Sequence, residues 1–227
     1  MKNIILETIG LSKVYMQGDV KVTALDQVNI KIYANEITAV VGPSGCGKST
    51  LLHLLSGMDR PTSGKVLLDG EDIYSLNDRM LTKLRSEVIG FIFQKFNLLP
   101  DLTVIENITL PADLSNIKYD REYLNYIIET LGLDERLDFF PRQLSGGQQQ
   151  RVAIARALIK KPKIIFADEP TGNLDTKSGE RFIEIMLDAN KKLNLTFVIV
   201  THNPDLALKS NRILSLQDGK VIDDKVV

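Results

Sequence analysis

Residues Gly42-Pro43-Ser44-Gly45-Cys46-Gly47-Lys48-Ser49 constrain this chain more than any other segment, because their chemistry needs a buried strand before them and a helix after them. Upstream, Ile37-Thr38-Ala39-Val40-Val41 is an apolar, β-branched run with almost no polar alternation, as a strand covered on both faces requires. Downstream, Leu51-Leu52-His53-Leu54-Leu55 reads as a helix that stops at Gly57. Within the loop, glycines let the backbone curl until its N–H groups face inward. Lys48 adds a mobile positive charge, Ser49 offers a hard oxygen to a divalent cation, and the opening helix aims its positive end at the same place. A nucleoside triphosphate with Mg²⁺ meets all of these demands along Gly42 to Thr50.

Two further apolar runs, Lys163-Ile164-Ile165-Phe166-Ala167 and Thr196-Phe197-Val198-Ile199-Val200, have the same buried-strand character, with helical stretches between them. Alternation of this kind predicts an α/β fold with a parallel sheet. Elsewhere Asp69-Gly70 and Asp218-Gly219 sit between apolar runs and predict hairpin turns, so the N-terminal third is expected to hold a small antiparallel sheet. From Leu98 to about Lys161 the pattern is mostly helical. Asp120 is a candidate N-cap, Tyr123, Leu124, Ile127, Ile128 and Leu131 follow at helical spacing, and Gly132 closes the helix. This stretch lies between two strands of the main sheet and reads as an inserted helical subdomain.

Bulk properties narrow the function. A formal net charge of -1 over 227 residues gives no overall basic field for nucleic acid, and the lack of Trp argues against stacking platforms for single strands. With Cys46 as the one cysteine, a disulfide framework and a thiolate metal site are excluded, which fits a reducing compartment. No apolar run reaches the length of a membrane span, and the apolar stretch at the N-terminus is too short for a signal peptide. Action at a membrane would need spans from another chain. Cys46 itself has two readings. Either its position takes any small residue, or its thiol is activated beside Lys48 and a helix N-terminus, in which case thiol reagents inhibit and nucleotide protects.

Ile164-Ile165-Phe166-Ala167-Asp168-Glu169 is an apolar strand ending in two carboxylates, and Pro170 breaks it. Alone this is common. Beside a phosphate loop, Asp168 is placed to hold Mg²⁺ and Glu169 to position or deprotonate a water. In Leu144-Ser145-Gly146-Gly147-Gln148, Ser145 is a candidate N-cap for a helix over Gln149 to Leu158, and Ser-Gly-Gly exposes backbone N–H groups to a second anion.

That last segment resembles the signature of the ATP-binding cassette ATPases, and the family's other elements follow in order over essentially the whole chain. The resemblance implies a P-loop NTPase (RecA-like) core with a mostly parallel sheet over 36–59, 76–95 and 162–227. A small antiparallel β-subdomain would span 1–35 and 60–75, and a helical subdomain carrying the signature 96–161. It implies that Tyr15 stacks on adenine. Gln94, after Gly90-Phe91-Ile92-Phe93, would sense γ-phosphate, join the metal shell and face a membrane partner. Asn173-Leu174-Asp175 would cross to a second subunit, and His202 would contact γ-phosphate. It further implies a head-to-tail homodimer in the ATP-bound state, in which Ser145, Gly146, Gly147 and Gln148 close the partner's ATP site. The protein would be cytoplasmic, peripheral on the inner face of the membrane through an integral permease subunit, with no nucleic-acid partner.

Finer text is similar to a subgroup. Phe96-Asn97-Leu98-Leu99-Pro100, Gln143 to Ala157 and Asp168-Glu169-Pro170-Thr171-Gly172-Asn173-Leu174-Asp175 resemble ATPases of macrolide export, lipoprotein release and antimicrobial-peptide resistance. An importer ATPase, or a regulatory cassette that acts on a membrane partner without transport, stays open. A GTPase does not fit, since the chain has no Asn-Lys-x-Asp motif.

Overall fold

A computed structural model of the chain describes residues 2–172 and 176–227. Its main sheet has six strands in the order β11-β10-β4-β9-β8-β7. Here β4 is Ile37–Val41, β7 Ile89–Ile92, β8 Ile164–Asp168, β9 Thr196–Val200, β10 Arg212–Gln217 and β11 Lys220–Val226. All pairings are parallel except β10 with β11. The sheet is apolar on both faces, which is why its central strands lack alternation. Phe166, Val198 and Val200 pack into one core cluster, while Ile165, Ala167, Phe197 and Ile199 pack into another on the opposite face.

The first cluster lies between the main sheet, helix α1 (Lys48–Leu55) and a second, five-stranded sheet. That sheet is antiparallel, ordered β2-β1-β5-β6 with β3 also on β1. Its strands are β1 (Ile4–Gln17), β2 (Val20–Val28), β3 (Lys31–Tyr33), β5 (Ser63–Leu68) and β6 (Glu71–Asp72). At 14 residues β1 is long enough for two jobs: Leu6 to Ile9 pair with β5, and Val14 to Gln17 pair with β2. Both Asp-Gly turns are hairpins. Asp69 and Gly70 have φ of 50° and 85°, and Asp218 and Gly219 have 48° and 76°, the paired positive φ of the turn that suits strand twist.

The second cluster is helical. It includes α3 (Val104–Leu114), α4 (Arg121–Leu131), α5 (Gly146–Leu158) and α6 (Thr176–Leu193). Asp120 caps α4 by accepting from the backbone N–H groups of Glu122 and Tyr123, and Gly132 ends it in the left-handed conformation at φ 59°. The α5 helix starts three residues before the expected Gln149, because Ser145 and Gln148 form a reciprocal capping box that holds Gly146 and Gly147 in the first turn. Helix α2 (Asp78–Val88), capped by Asn77, precedes edge strand β7. Helix α7 (Pro204–Leu208) precedes β10. Among the described residues no helix is long and apolar enough to cross a membrane.

Candidate functional site

The loop after β4 is wedged between two backbones. A Cβ at Gly42 would stand 2.1 Å from the Leu216 carbonyl oxygen of β10, and one at Gly47 would stand 2.3 Å from the Ala24 carbonyl oxygen of β2. Neither position has room for a side chain, and Gly47 at φ 104° also needs glycine's backbone freedom. The tip of the β10–β11 hairpin braces the loop from below, since Gly219 N–H donates to the Cys46 carbonyl at 3.0 Å. Cys46 is 5% exposed and belongs to the apolar cluster, and a Cβ at Gly42 would come within 2.8 Å of its Sγ. The thiol fills the inside of the loop as a small apolar group. This arrangement accords with the small-residue reading of Cys46 and gives the activated-thiol reading no accessible sulfur.

Helix α1 opens at this loop without a side-chain cap, whereas α2, α3, α4 and α5 each have one. Its first-turn N–H groups lack intrahelical acceptors, and no acidic residue sits in that turn. The helix end is therefore a set of donors with a positive partial charge, open to an anion beside Pro43, Ser44, Gly45 and Thr50. Lys48 is buried and its ammonium is held in place by the Gly42 and Pro43 carbonyls at 2.9 and 2.8 Å. These neutral acceptors are weaker partners than phosphate oxygens would be.

Next to α1, Ser49 Oγ donates to Asp168 Oδ1 at 3.2 Å. Two hard oxygens meet there, on the first turn of α1 and the last residue of β8. Among the described residues no cluster of three His, Cys, Asp or Glu forms a complete cage. Mg²⁺ is held by few protein oxygens plus phosphates and water, so this donor set fits it.

Glu169 follows with φ of 44°, a left-handed conformation that costs a non-glycine residue roughly 1–2 kcal/mol. Its backbone is fixed there by N–H donation to Val200 O and by Gly172 N–H, both at 2.9 Å. One carboxylate oxygen, Oε2, accepts from the backbone N–H of His202 at 3.1 Å. The other, Oε1, lies 3.3 Å from His202 Nε2, yet is buried with no aligned hydrogen-bond donor. A buried carboxylate oxygen with an unused lone pair is a proton acceptor waiting for a donor. The His202 side chain is half exposed, in a cleft of about 400 Å³ lined also by Gly42, Thr201 and Pro204. Gln94 reaches the same carboxylate segment: a Cβ at Gly172 would stand 3.0 Å from Gln94 Nε2 and 3.3 Å from the Glu169 carbonyl.

Tyr15 lies on β1 at the rim. Its hydroxyl donates to Asp59 Oδ2 at 2.8 Å, and the Lys13 ammonium sits 4.8 Å from its ring centroid. Burial first, then the bond to Asp59, raises the Tyr15 pKa, so the hydroxyl stays protonated and donating. Burial works to raise the Asp59 pKa, but donation from Lys13, Tyr15 and the Arg60 backbone outweighs it, and the carboxyl titrates below its usual range. Neither Lys13 nor Asp59 was legible as a site residue, because Lys13 is held over the ring by Asp59, which joins β1 from a segment 44 residues beyond Tyr15.

The fold thus brings the 42–50 loop, Gln94, Asp168, Glu169 and His202 to the C-terminal ends of β4, β7, β8 and β9, with Tyr15 on the neighbouring antiparallel sheet. The signature segment stands apart. The Ser145 hydroxyl and the Gln148 amide are committed to their capping box, at 3.3 and 2.8 Å, and among the described residues no hydrogen bond or ion pair joins 145–148 to 42–50. Asn173-Leu174-Asp175 lies outside the described residues.

Comparison with known proteins agrees with this geometry. Residues 25–172 match the ABC transporter family. An uncharacterised ABC transporter ATP-binding protein of Thermotoga maritima is 46% identical over 219 residues, covering 96% of this chain and 93% of its own. The lipoprotein-releasing system ATP-binding protein LolD of Shewanella oneidensis is 44% identical over 224 residues, covering 96% of each. The solved dimeric structure of MJ0796, described as a bacterial ABC transporter cassette, superposes with a TM-score of 0.87 at 40% identity, covering 97% of this chain and 98% of that one. A phosphate loop wedged against β2 and β10, a carboxylate pair at the end of β8 and these relatives lead to one conclusion: the chain belongs to the ABC transporter family, as an ATP-binding and ATP-hydrolysing cassette.

Proposed function

We propose that this cassette hydrolyses Mg·ATP with Glu169 as the general base, in a site closed by the signature segment of a second copy, and that it thereby drives a separate membrane subunit of the export or mechanotransmission type. The observation that carries the catalytic part is the buried Glu169 Oε1, which has no aligned donor while Oε2 is fixed by the His202 N–H. The carboxylate is held by one oxygen and left free to take a proton with the other. Lys48 leaves its two loop carbonyls for the β- and γ-phosphates, and the open first turn of α1 binds the same oxygens. Ser49 and Asp168, with Gln94, would hold Mg²⁺, which would neutralise phosphate charge. His202 lies 3.3 Å from Glu169 and reaches the γ-phosphate end. Tyr15 takes the adenine.

The committed hydroxyl of Ser145 and amide of Gln148 support a site completed in trans. Gly146 and Gly147 stand in the same first turn, and among the described residues no hydrogen bond or ion pair joins 145–148 to the phosphate loop of the same chain. A dimeric cassette structure at 40% identity, and a second one bound to ADP and Pi, support the same arrangement. The lipoprotein-releasing relatives favour an export-type partner. A 30% identical cassette described as part of the ABC transporter complex cbiONQ supports the reading of a cassette that works with separate subunits. The test is the membrane protein that copurifies with the chain. A four-span subunit with a large extracytoplasmic domain supports export or mechanotransmission, and a many-span permease with a solute-binding protein overturns it.

A further inference from the structure

The adenine platform is not a lone ring on a strand. The Asp59 carboxylate accepts from the Tyr15 hydroxyl at 2.8 Å through Oδ2, and through Oδ1 from the Lys13 ammonium at 2.8 Å and the Arg60 N–H at 2.7 Å. Lys13 donates also to the Arg60 carbonyl at 2.6 Å, and its side chain is only 12% exposed. Its charge therefore stays over one face of the Tyr15 ring and cannot swing away without breaking two bonds. A purine that stacks on Tyr15 is directed to the opposite face.

Asp59 is itself fixed by α1. The helix ends at Ser56 and turns through Gly57 at φ 69°, while the N–H groups of Met58 and Asp59 both return to the His53 carbonyl, at 2.8 and 3.3 Å. The Tyr74 hydroxyl lies within hydrogen-bond distance of the Leu54 and Asp59 carbonyls, which locks the exit further. One rigid eight-residue helix therefore carries the phosphate-binding turn at its start and the anchor of the purine ring at its end.

We infer that Asp59, with Lys13, is the positioning element of the adenine site: it sets the tilt and free face of Tyr15 and its spacing from the phosphate loop, and so contributes to ATP affinity through the base alone. This rests on the reading of Tyr15 as the adenine platform. Pre-ordering an exposed tyrosine removes rotamer loss that binding would otherwise incur.

The test compares ATP with inorganic tripolyphosphate, both with Mg²⁺, by calorimetry on the full chain. Asp59→Asn and Asp59→Ala are expected to weaken ATP binding about three- to tenfold, the scale of one or two lost side-chain hydrogen bonds. Tripolyphosphate binding and kcat should stay unchanged. Tyr15→Phe should act like Asp59→Asn. In a Tyr15→Ala background, Asp59→Ala should cost nothing further, because the anchor then has no ring to hold. Equal loss for ATP and tripolyphosphate would overturn the inference, since Asp59 would then act on the loop through α1. Unchanged ATP affinity in Asp59→Asn, with Tyr15→Ala weakened, overturns it while sparing the adenine reading. Unchanged affinity in Tyr15→Ala overturns both.

Discussion

At the scale of single residues, the chemistry depends on side chains held by one atom and left without a partner at another. Glu169 is the clearest, with Oε2 fixed by the His202 N–H and Oε1 buried without an aligned donor. Glu169→Gln keeps the shape but removes the base, so ATP binding should persist while turnover falls by about 10²–10⁴. Comparable loss of binding and turnover in calorimetry and phosphate release would speak against the base role. Lys48→Ala removes two charge-assisted bonds to phosphate, each worth about 1.5–3 kcal/mol, and should weaken ATP binding at least about 100-fold. His202→Ala should lower turnover more than binding, and unchanged turnover would remove its γ-phosphate role. Cys46, buried against Gly42 and the apolar cluster, should react with maleimide only on the timescale of unfolding. Rapid labelling of the native protein would contradict that packing.

At the scale of elements, the loop depends on what presses on it from outside. Gly42→Ala drives a Cβ into the Leu216 carbonyl and Gly47→Ala drives one into the Ala24 carbonyl. Either change must push the loop off β10 or β2, a strain of roughly 1–3 kcal/mol. Both variants should lower the melting temperature by several degrees and impair ATP binding, and a variant with unaltered melting and binding would refute the wedge. Much of this level was legible in the sequence. Strands β4, β8 and β9 announce themselves because both their faces are buried, and Asp120 with Gly132 brackets α4 by local capping chemistry. What the sequence hid is non-local. The double pairing of β1, the Tyr15–Asp59–Lys13 anchor and the pressure of Leu216 and Ala24 on the loop join segments far apart in the chain. The left-handed φ of Glu169 was hidden too, because it is imposed by β9 through Val200 and not by a local glycine.

At the scale of the whole molecule, the proposed mechanism divides one chain into two half-sites. The phosphate loop, Asp168, Glu169 and His202 lie together, while Ser145 to Gln148 open α5 elsewhere, and among the described residues no hydrogen bond or ion pair joins them to the phosphate loop. Two copies arranged head to tail would complete both sites, with ATP as the bridge, so nucleotide state would set the monomer–dimer equilibrium. Chelating Mg²⁺ should stop hydrolysis, since Ser49 and Asp168 would then have no cation to hold against the phosphates. The most direct measurement is light scattering of Glu169→Gln protein in millimolar Mg·ATP. A stable dimer that returns to monomer in ADP is expected, and a chain that stays monomeric in ATP would rule out the head-to-tail sandwich.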